Sequence, residues 1–133
     1  MNLKIVSVKK VEKQLENVRE LVLPTTSGLI KVLPEHQSLI TKLIVGQIII
    51  KTDESEEKVL LSGGFAKVDE NNILILADEA DLPTDLVAEQ IRESIKHAEQ
   101  KLNEQGLEPT ELIQLEKQLM YERFKLGFAN QSV

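Results

Sequence analysis

The two histidines, His36 and His97, are the residues of this chain best suited to acid–base or metal chemistry near neutral pH. An imidazole changes charge at an unperturbed pKa of about 6.5, and its neutral form is a common metal ligand. Neither histidine has a carboxylate or a second histidine at a metal-binding spacing such as His-Glu-x-x-His. The sequence therefore predicts no catalytic residue, no metal ligand and no bound cofactor.

Two roles remain open for His36, which follows Pro34 and Glu35 in a turn. It could act as a contact or pH-responsive group, or it could be a corner residue that hydrogen-bonds the local backbone. The turn itself is well defined, because Pro34 fixes its own φ and pushes Leu33 into an extended conformation. Gly28, a few residues earlier, tolerates the positive φ of a tight turn.

A glycine pair, Gly63-Gly64, interrupts an apolar run that ends at Phe65. It lacks the lysine and the spacing of a phosphate-binding loop. Inside a strand, such a pair indicates a bulge or a close approach of another backbone segment. We therefore expect a structural role for this pair.

Composition narrows the possible partners. The chain has 133 residues, a formal charge of −6 and no cysteine, and its 16 basic residues are scattered along the sequence. Nucleic-acid binding requires a concentrated basic face, so nucleic acid is not an expected partner. No apolar run approaches the roughly 20 residues that span a bilayer, so we expect a soluble chain that meets a membrane only through a complex.

The first 82 residues show the alternation of apolar and polar residues that is typical of β-strands. Short apolar runs separated by turn residues predict a β-sandwich or flattened barrel. An acidic hairpin tip at residues 53–57 is typical of a solvated loop, with a cation site as the weaker alternative. Continuous apolar runs at residues 48–50 and 73–76 predict strands covered on both faces. The predicted strands cover residues 3–8, 18–23 (ended by Pro24), 29–33, 39–43, 48–51, 58–61, 65–68 and 73–76.

In residues 83–133 the apolar residues recur with the period of an α-helix. This pattern predicts an antiparallel two-helix hairpin as a second domain. Pro83, Thr84 and Asp85 suit a helix start, Gly106 suits a stop, and Pro109 suits a second start. The second helix carries two apolar stripes, of which a hairpin needs only one. The leucine stripe is Leu112, Leu115, Leu119 and Leu126. The other stripe, a candidate partner face or an additional core face, is Ile113, Met120, Tyr121, Phe124 and Phe128.

Two stretches together resemble the epsilon subunit of the rotary F-type ATP synthase. The family pattern is Gly-x-x-Gly-x-Leu-Pro-x-His-x-Pro-Leu, followed later by Gly-Gly-Phe. The chain departs from it at Lys31, where glycine is usual, and at Ser38, where proline is common. The position after the first glycine, often acidic in the family, is Leu29. The matching residues are Gly28, Leu33, Pro34, His36, Leu39, Gly63, Gly64 and Phe65.

The resemblance implies a non-catalytic subunit of the central stalk. Its sandwich is expected to bind the gamma subunit and rest on the membrane ring, so that ring rotation driven by proton (or sodium) flow supports ATP synthesis. The turn with Glu35 and His36 corresponds to the loop that faces the ring. The helical hairpin is expected to make transient contact with the catalytic alpha and beta subunits. The implied location is the cytoplasmic face of a bacterial membrane, peripherally bound through the complex.

Some bacterial relatives bind ATP on the hairpin through an Ile-Asp-x-x-Arg-Ala motif and a later arginine. The matching stretch here runs from Leu86 to Ile91, with Val87 and Gln90 in place of the aspartate and arginine, and His97 at the later arginine. Because phosphate recognition needs cations or bundled donors, we predict that this chain does not sense ATP.

The last segment predicts modest or partner-specific inhibition of hydrolysis. Inhibitory relatives often carry a basic final helix, whereas here three basic residues stand against four glutamates: Lys117, Arg123 and Lys125 against Glu108, Glu111, Glu116 and Glu122. Two alternative functions for the whole chain stay open at this point. One is a nucleotide-sensing module, and the other is a β-sandwich adaptor whose hairpin docks an unrelated partner.

Overall fold

The computed structural model describes residues 1–8 and 11–131, and it describes side chains for all of these except residues 11, 12, 130 and 131. The chain divides after Leu82 into two compact units, one built of strands and one of helices. The last two residues of the second domain expected from the sequence, 132 and 133, lie outside the described residues.

The first unit is a single curled sheet. The described strands are β1 (Asn2–Ser7), β2 (Val11–Leu15), β3 (Glu20–Thr25), β4 (Gly28–Val32), β5 (His36–Leu43), β6 (Gly46–Lys51), β7 (Glu56–Leu61), β8 (Gly64–Glu70), β9 (Asn72–Ala77) and β10 (Ala80–Asp81). They join in the order β10-β7-β6-β3-β5-β8-β9-β1-β2, with β4 paired to β3. All these pairings are antiparallel except that of β1 with β9. The predicted flattened barrel is confirmed.

Alternation along the strands builds the core of this unit. In β9 the inward residues Ile73 and Ile75 are buried, and in β1 their lateral partners Leu3 and Ile5 are buried as well. Because successive side chains in a strand point to opposite faces, β1 and β9 contribute alternate residues to one shared core.

The curl brings strands from distant parts of the sheet together. Lys13 on β2 forms an ion pair with Glu57 on β7 at 3.0 Å, although β2 ends the sheet and β7 is next to its other end. Arg19 pairs with Asp53 in the turn before β7. The Lys13–Glu57 pair therefore links two sides of the barrel that share no ladder.

Gly64 is required where β8 meets β9. Its φ is +145°, and a Cβ at this position would lie 2.1 Å from the carbonyl oxygen of Leu76. No real side chain tolerates that separation, so the backbones approach closely only because residue 64 is glycine. The expectation of a close approach at the glycine pair is confirmed.

Three strand-level expectations were wrong. Local patterning predicts no strand at residues 11–15, where β2 lies, because apolar residues occur only at its ends. Pro24 does not end β3 but lies buried within it. The run in β9 is not covered on both faces, since Leu74 and Leu76 are 36% and 51% exposed.

The second unit contains α1 (Ala88–Leu102) and α2 (Pro109–Gln131), preceded by a 3-10 turn at Pro83–Asp85. The expected helix start at Pro83 was wrong: α1 begins five residues later, after Val87 in an extended conformation. The start of α2 at Pro109 is confirmed. Arg123 of α2 lies 3.6 Å from Glu99 of α1, an interhelical pair that fits the antiparallel hairpin. Within the described ranges, no helix has the length and apolarity needed to cross a bilayer.

Candidate functional site

Strands β5, β8, β9 and β1 present a surface that we call the outer face, formed by their side chains that point away from the core. Lateral partners in adjacent strands point to the same side of a sheet, so the register arranges these side chains in rows. The first row, in strand order, is Ile40, Lys67, Leu74 and Lys4. The second row is Lys42, Phe65, Leu76 and Val6.

The apolar members of these rows are unusually accessible. Ile40 is 72% exposed, Phe65 54%, Leu76 51% and Leu74 36%. Exposed apolar side chains are common singly, but neighbouring ones on one surface mark interaction sites. The outer face therefore has the chemistry of a protein-docking surface.

The charged members of the rows are all lysines. In the part of the chain that the structure describes, Lys4, Lys42 and Lys67 form no ion pair. Elsewhere on the same sheet, Lys31 and Lys51 each lie 3.0 Å from a carboxylate oxygen of Glu20. The outer face thus carries three lysines that have no carboxylate partner among the described residues.

A polar border lies beside the first row. Ser38 donates its hydroxyl to Asp69 Oδ1 at 3.2 Å, and the Asn2 amide donates to Asn72 Oδ1 at 3.3 Å. At this corner the surface dips into an open cleft of about 470 Å³. The cleft is lined by Asn2, Leu3, Lys4, Gln14, Leu15, Glu16, Lys67, Asp69, Asn72, Ile73 and Leu74.

Sequence reasoning missed the outer face. Of its members, the sequence singles out Phe65 through the motif that contains it, and Leu74 and Leu76 only as part of the apolar run at residues 73–76, interpreted there as a strand covered on both faces. The usable signal was the pair Leu74 and Leu76 at alternate positions of β9, opposite the core residues Ile73 and Ile75. In a sheet with one solvated face, such outward positions are normally polar.

The turn with Glu35 and His36 is fixed by hydrogen bonds. The His36 backbone N–H donates to the Leu33 carbonyl at 3.2 Å, and the Glu35 N–H donates to Asn71 Oδ1 at 3.1 Å. The His36 ring contacts the Gln37 carbonyl oxygen through Nδ1 at 2.7 Å. This contact is a local backbone contact of the kind expected for a corner residue, and the assignment of Glu35 and His36 to a ring-facing loop stays a prediction.

Backbone conformation at this end of the sheet is unusual. Glu35 and Glu70 are non-glycine residues with φ values of +65° and +51°. Their strands are adjacent, since His36 is the register partner of Glu70. Leu29, which is 74% exposed, lies at the opposite end of β4, beside the turn between β3 and β4.

The five α2 residues of the second stripe differ in exposure. Ile113 is 55% and Met120 60% exposed, whereas Tyr121 is buried. Phe124 and Phe128 are half-buried and stack edge-to-face with their ring centres 5.1 Å apart. The assignment of these residues to a partner face stays a prediction.

Met120 also lines an open groove of about 440 Å³ between the two helices. Leu102 and Leu119 give this groove an apolar floor, with Glu116 and Arg123 at its rim. The leucine stripe thus contributes to the contact between α1 and α2 at Leu119, which is buried.

The start of α1 is poor in phosphate-binding groups. Val87 precedes the first turn and makes no side-chain capping bond, and Glu89 places a negative charge in that turn. Gln90 and His97 are exposed. A helix start attracts phosphate through its free N–H groups, and an adjacent carboxylate opposes this attraction.

An ion-pair network on β3, β4, β6 and β7 is the main electrostatic feature of the sheet. Lys51 and then Lys31, through hydrogen bonds to the carboxylate, hold the pKa of Glu20 below its ordinary value. The pKa of Lys51 is raised in turn, mainly by its hydrogen bond to Glu20. Lys51 lies 3.9 Å from Glu56 as well.

Clusters of metal-ligating side chains are absent from residues 1–8 and 11–131. No group of three or more His, Cys, Asp or Glu side chains there could hold a metal ion. Of the acidic stretch at residues 53–57, residues 53–55 lie in a turn with local bonds, including Thr52 with Ser55 and Arg19 with Asp53. Residues 56 and 57 begin β7.

Comparison with known proteins gives a consistent result. Residues 1–83 match the family described as ATP synthase, Delta/Epsilon chain, beta-sandwich domain. The chloroplastic ATP synthase epsilon chain of Marchantia polymorpha is 30% identical over 125 residues, covering 94% of this chain and 90% of that protein. The corresponding protein of Psilotum nudum is 34% identical over 102 residues, covering 77% and 76%.

Two solved structures share the fold. A chain of the Euglena gracilis mitochondrial ATP synthase, in a structure described as OSCP/F1/c-ring, matches with a TM-score of 0.71 and 23% identity, covering 97% of this chain and 79% of that chain. A chain from the Tetrahymena thermophila mitochondrial ATP synthase, in a structure described as central stalk/c-ring, matches with a TM-score of 0.66 and 14% identity, covering 97% and 96%. Both likenesses extend over the sheet and the helices.

Proposed function

The chain belongs to the epsilon-subunit family of ATP synthases, and we propose that it links the gamma subunit to the membrane ring in a rotary F-type complex. It takes part in ATP synthesis driven by H⁺ flow without performing catalysis itself. It is held peripherally at the cytoplasmic face of a bacterial membrane, through the complex alone.

The outer face supports the link to gamma. A surface on which Phe65, Leu74 and Leu76 are neighbours is unfavourable in water, because each square ångström of apolar area contributes about 25 cal/mol when covered. A permanent partner removes this cost. Gamma is the central-stalk subunit expected to cover the face.

The turn at Glu35 and His36 supports the link to the ring. Its backbone is pinned to Asn71, and both Glu35 and Glu70 keep strained left-handed conformations. Such strain persists where surrounding structure over-determines it, and it clusters at functional sites.

The helical unit, residues 83–133, acts as a separate domain that contacts the alpha and beta subunits transiently. Ile113 and Met120 are exposed and supply the apolar contacts for this step. Its restraint on ATP hydrolysis is modest, because Arg123 and Lys125 of α2 already pair with carboxylates of this chain.

Substitution of Phe65 tests the proposal most simply. We expect Phe65→Glu in the full chain to weaken binding to the gamma subunit at least about tenfold, because it places a carboxylate in the centre of an apolar contact. The affinity is measured by calorimetry with purified gamma. Since Phe65 is exposed, the thermal unfolding midpoint should change little.

Leu29→Glu is the matched control. It introduces the same charge at a more exposed apolar residue that lies on β4, away from the outer face. Binding to gamma should be retained in this variant. Equal affinity of Phe65→Glu and the unmodified chain would contradict the proposed gamma surface.

A further inference from the structure

The lysines of the outer face are interleaved with its apolar residues. Lys67 on β8 lies between Ile40 on β5 and Leu74 on β9 in the same row, and Lys4 lies on the other side of Leu74. Adjacent strands are about 4.8 Å apart, so these four side chains form one continuous band.

This arrangement constrains whatever covers the face. A partner that buries Ile40 and Leu74 must also cover the position of Lys67 between them. Lys42, on β5, and Lys4, beside the cleft, can extend their ammonium groups toward solvent at the margin. Lys67 also borders the cleft, but its lateral neighbours on both sides are apolar, so a partner that covers Ile40 and Leu74 covers Lys67 as well.

Covering an ammonium group without a counter-charge is strongly unfavourable. The chain itself supplies no carboxylate to Lys67 in the part that the structure describes, although Asp69 and Glu16 lie on the same cleft. In the structure Asp69 accepts the Ser38 hydroxyl and forms no ion pair with Lys67, and Glu16 follows β2 on the far side of β1. A partner that covers Lys67 is therefore the source of counter-charge that the arrangement leaves open.

We propose that the outer face recognises an acidic, amphipathic surface of the gamma subunit, in which a carboxylate inserted between apolar side chains pairs with Lys67. This inference rests on the proposed function and specifies the chemistry of the same contact. Lys67 is the residue that sets specificity, and Lys4 and Lys42 reinforce it from the margins.

The charge of the whole chain makes this contact selective. The formal net charge is −6, so the chain as a whole repels an acidic partner. The outer face carries Lys4, Lys42 and Lys67 in its two rows, which makes it the local exception. Complementary charges of this kind raise the association rate and orient the encounter, and salt screens their effect.

The cleft beside Lys67 provides a second contact of the same kind. The side chains of Lys4, Lys67, Asn2 and Gln14 bring hydrogen-bond donors to an opening that Leu74 also lines. A carboxylate of the partner fits this donor set, with an apolar side chain beside it on Leu74.

The experiment measures association of the full chain with purified gamma subunit from the same source, at low and high NaCl concentrations. We expect association to slow at least about tenfold from roughly 50 to 500 mM NaCl. Lys67→Glu should weaken binding at least about thirtyfold, and Lys67→Met about fivefold or more, because both remove the positive charge. Lys67→Arg keeps the charge and should stay within about threefold of the unmodified chain.

Lys58→Glu is the matched control. Lys58 is another exposed lysine of the same sheet, on β7, and the register places it opposite Ile49, outside the outer face. This variant should bind within about threefold of the unmodified chain, although it changes the net charge as much as Lys67→Glu does. Thermal unfolding verifies that each variant is folded.

The failure of this inference and the failure of the proposed function give different results. Binding of gamma by the unmodified chain together with equal or tighter binding by Lys67→Met overturns the inference and leaves the proposed function standing. No binding by the unmodified chain overturns both. Binding of the chain to phosphatidylglycerol vesicles with loss in Lys67→Glu, and none to gamma, reassigns the face to a membrane surface and also overturns the inference.

Discussion

Gly64 shows how one residue sets the geometry of two strands. Its Cα faces the backbone of β9 so closely that a methyl group would overlap the Leu76 carbonyl, and its φ of +145° disfavours any L-side chain as well. Both effects act on backbone atoms, which cannot move aside as a flexible side chain could. This role is predictable from the sequence, because glycine inside an apolar strand is typical of a bulge or of a close backbone approach.

We expect Gly64→Ala to lower the free energy of unfolding by more than about 2 kcal/mol, or to prevent folding. Gly127→Ala is the contrasting change, since a Cβ at that helical position meets no atom within 4 Å. It should raise stability by roughly 0.5–1 kcal/mol. Urea unfolding of both variants measures the difference, and similar stabilities for the two would show that the backbones do not approach closely at Gly64.

The pH dependence of folding stability is predicted most directly from Glu20. Its pKa is lowered, first by the hydrogen bond from Lys51 and then by that from Lys31. A carboxyl group with a lower pKa in the folded state stabilises the fold above its unfolded pKa, and this stabilisation is lost as pH falls through the folded pKa.

Glu20→Gln should therefore reduce stability at pH 7 and flatten the loss of stability below about pH 5. Denaturant unfolding from about pH 7 to pH 3 tests this for the variant and the unmodified chain. Glu54→Gln, in an exposed turn, serves as the control. Parallel curves for Glu20→Gln and the unmodified chain would mean that the network with Lys51 and Lys31 does not form in solution.

At the scale of elements, the helices were easier to place than the strands. The 3.6-residue period and Pro109 located α2 correctly, whereas α1 begins later than Pro83 because the first residues form a 3-10 turn. Strand β2 has apolar residues only at Val11 and Leu15, so no local pattern identifies it. It exists because β1 offers it an edge to pair with.

The start of α1 predicts that ATP does not bind to the hairpin. Val87 provides no carboxylate, Gln90 no fixed positive charge, and Glu89 repels phosphate in the first turn. Titration of the labelled chain with ATP to millimolar concentrations should give no saturable amide shifts at residues 86–98. The double variant Val87→Asp, Gln90→Arg tests whether the two missing groups account for the absence of ATP binding. Saturable shifts in the unmodified chain would refute the prediction.

Helix α2 predicts weak control of hydrolysis. Lys125 lies 3.1 Å from Glu122, and Arg123 pairs with Glu99, so two of the three basic residues in this helix already have carboxylate partners. A basic surface for an acidic partner is thus largely neutralised within the chain.

Removing residues 109–133 should therefore raise ATP hydrolysis by the assembled enzyme less than about threefold, a barrier change below roughly 0.7 kcal/mol. The control is quantification of the shortened chain in the purified complex, which ensures that the sheet remains bound. A many-fold increase at equal occupancy would show that α2 is a strong inhibitor.

At the scale of the whole molecule, local patterns indicated both the strand-rich and helix-rich parts but not the outer face. Its rows join residues far apart in the chain, as in the parallel pairing of Lys4 with Leu74. Which apolar positions stay exposed depends on this register and on the curl of the sheet. Neither can be derived from local alternation, so the turn and glycine motifs were found and the docking surface was not.

A stoichiometric complex with gamma is the property on which the proposed place of this chain in the central stalk depends. The most direct measurement is the molar mass of the full chain mixed with gamma from the same source at micromolar concentrations, by size-exclusion chromatography with light scattering. We expect a stable one-to-one complex that the Phe65→Glu variant does not form. Two separate peaks from folded proteins would contradict this expectation and return the chain to the adaptor hypothesis.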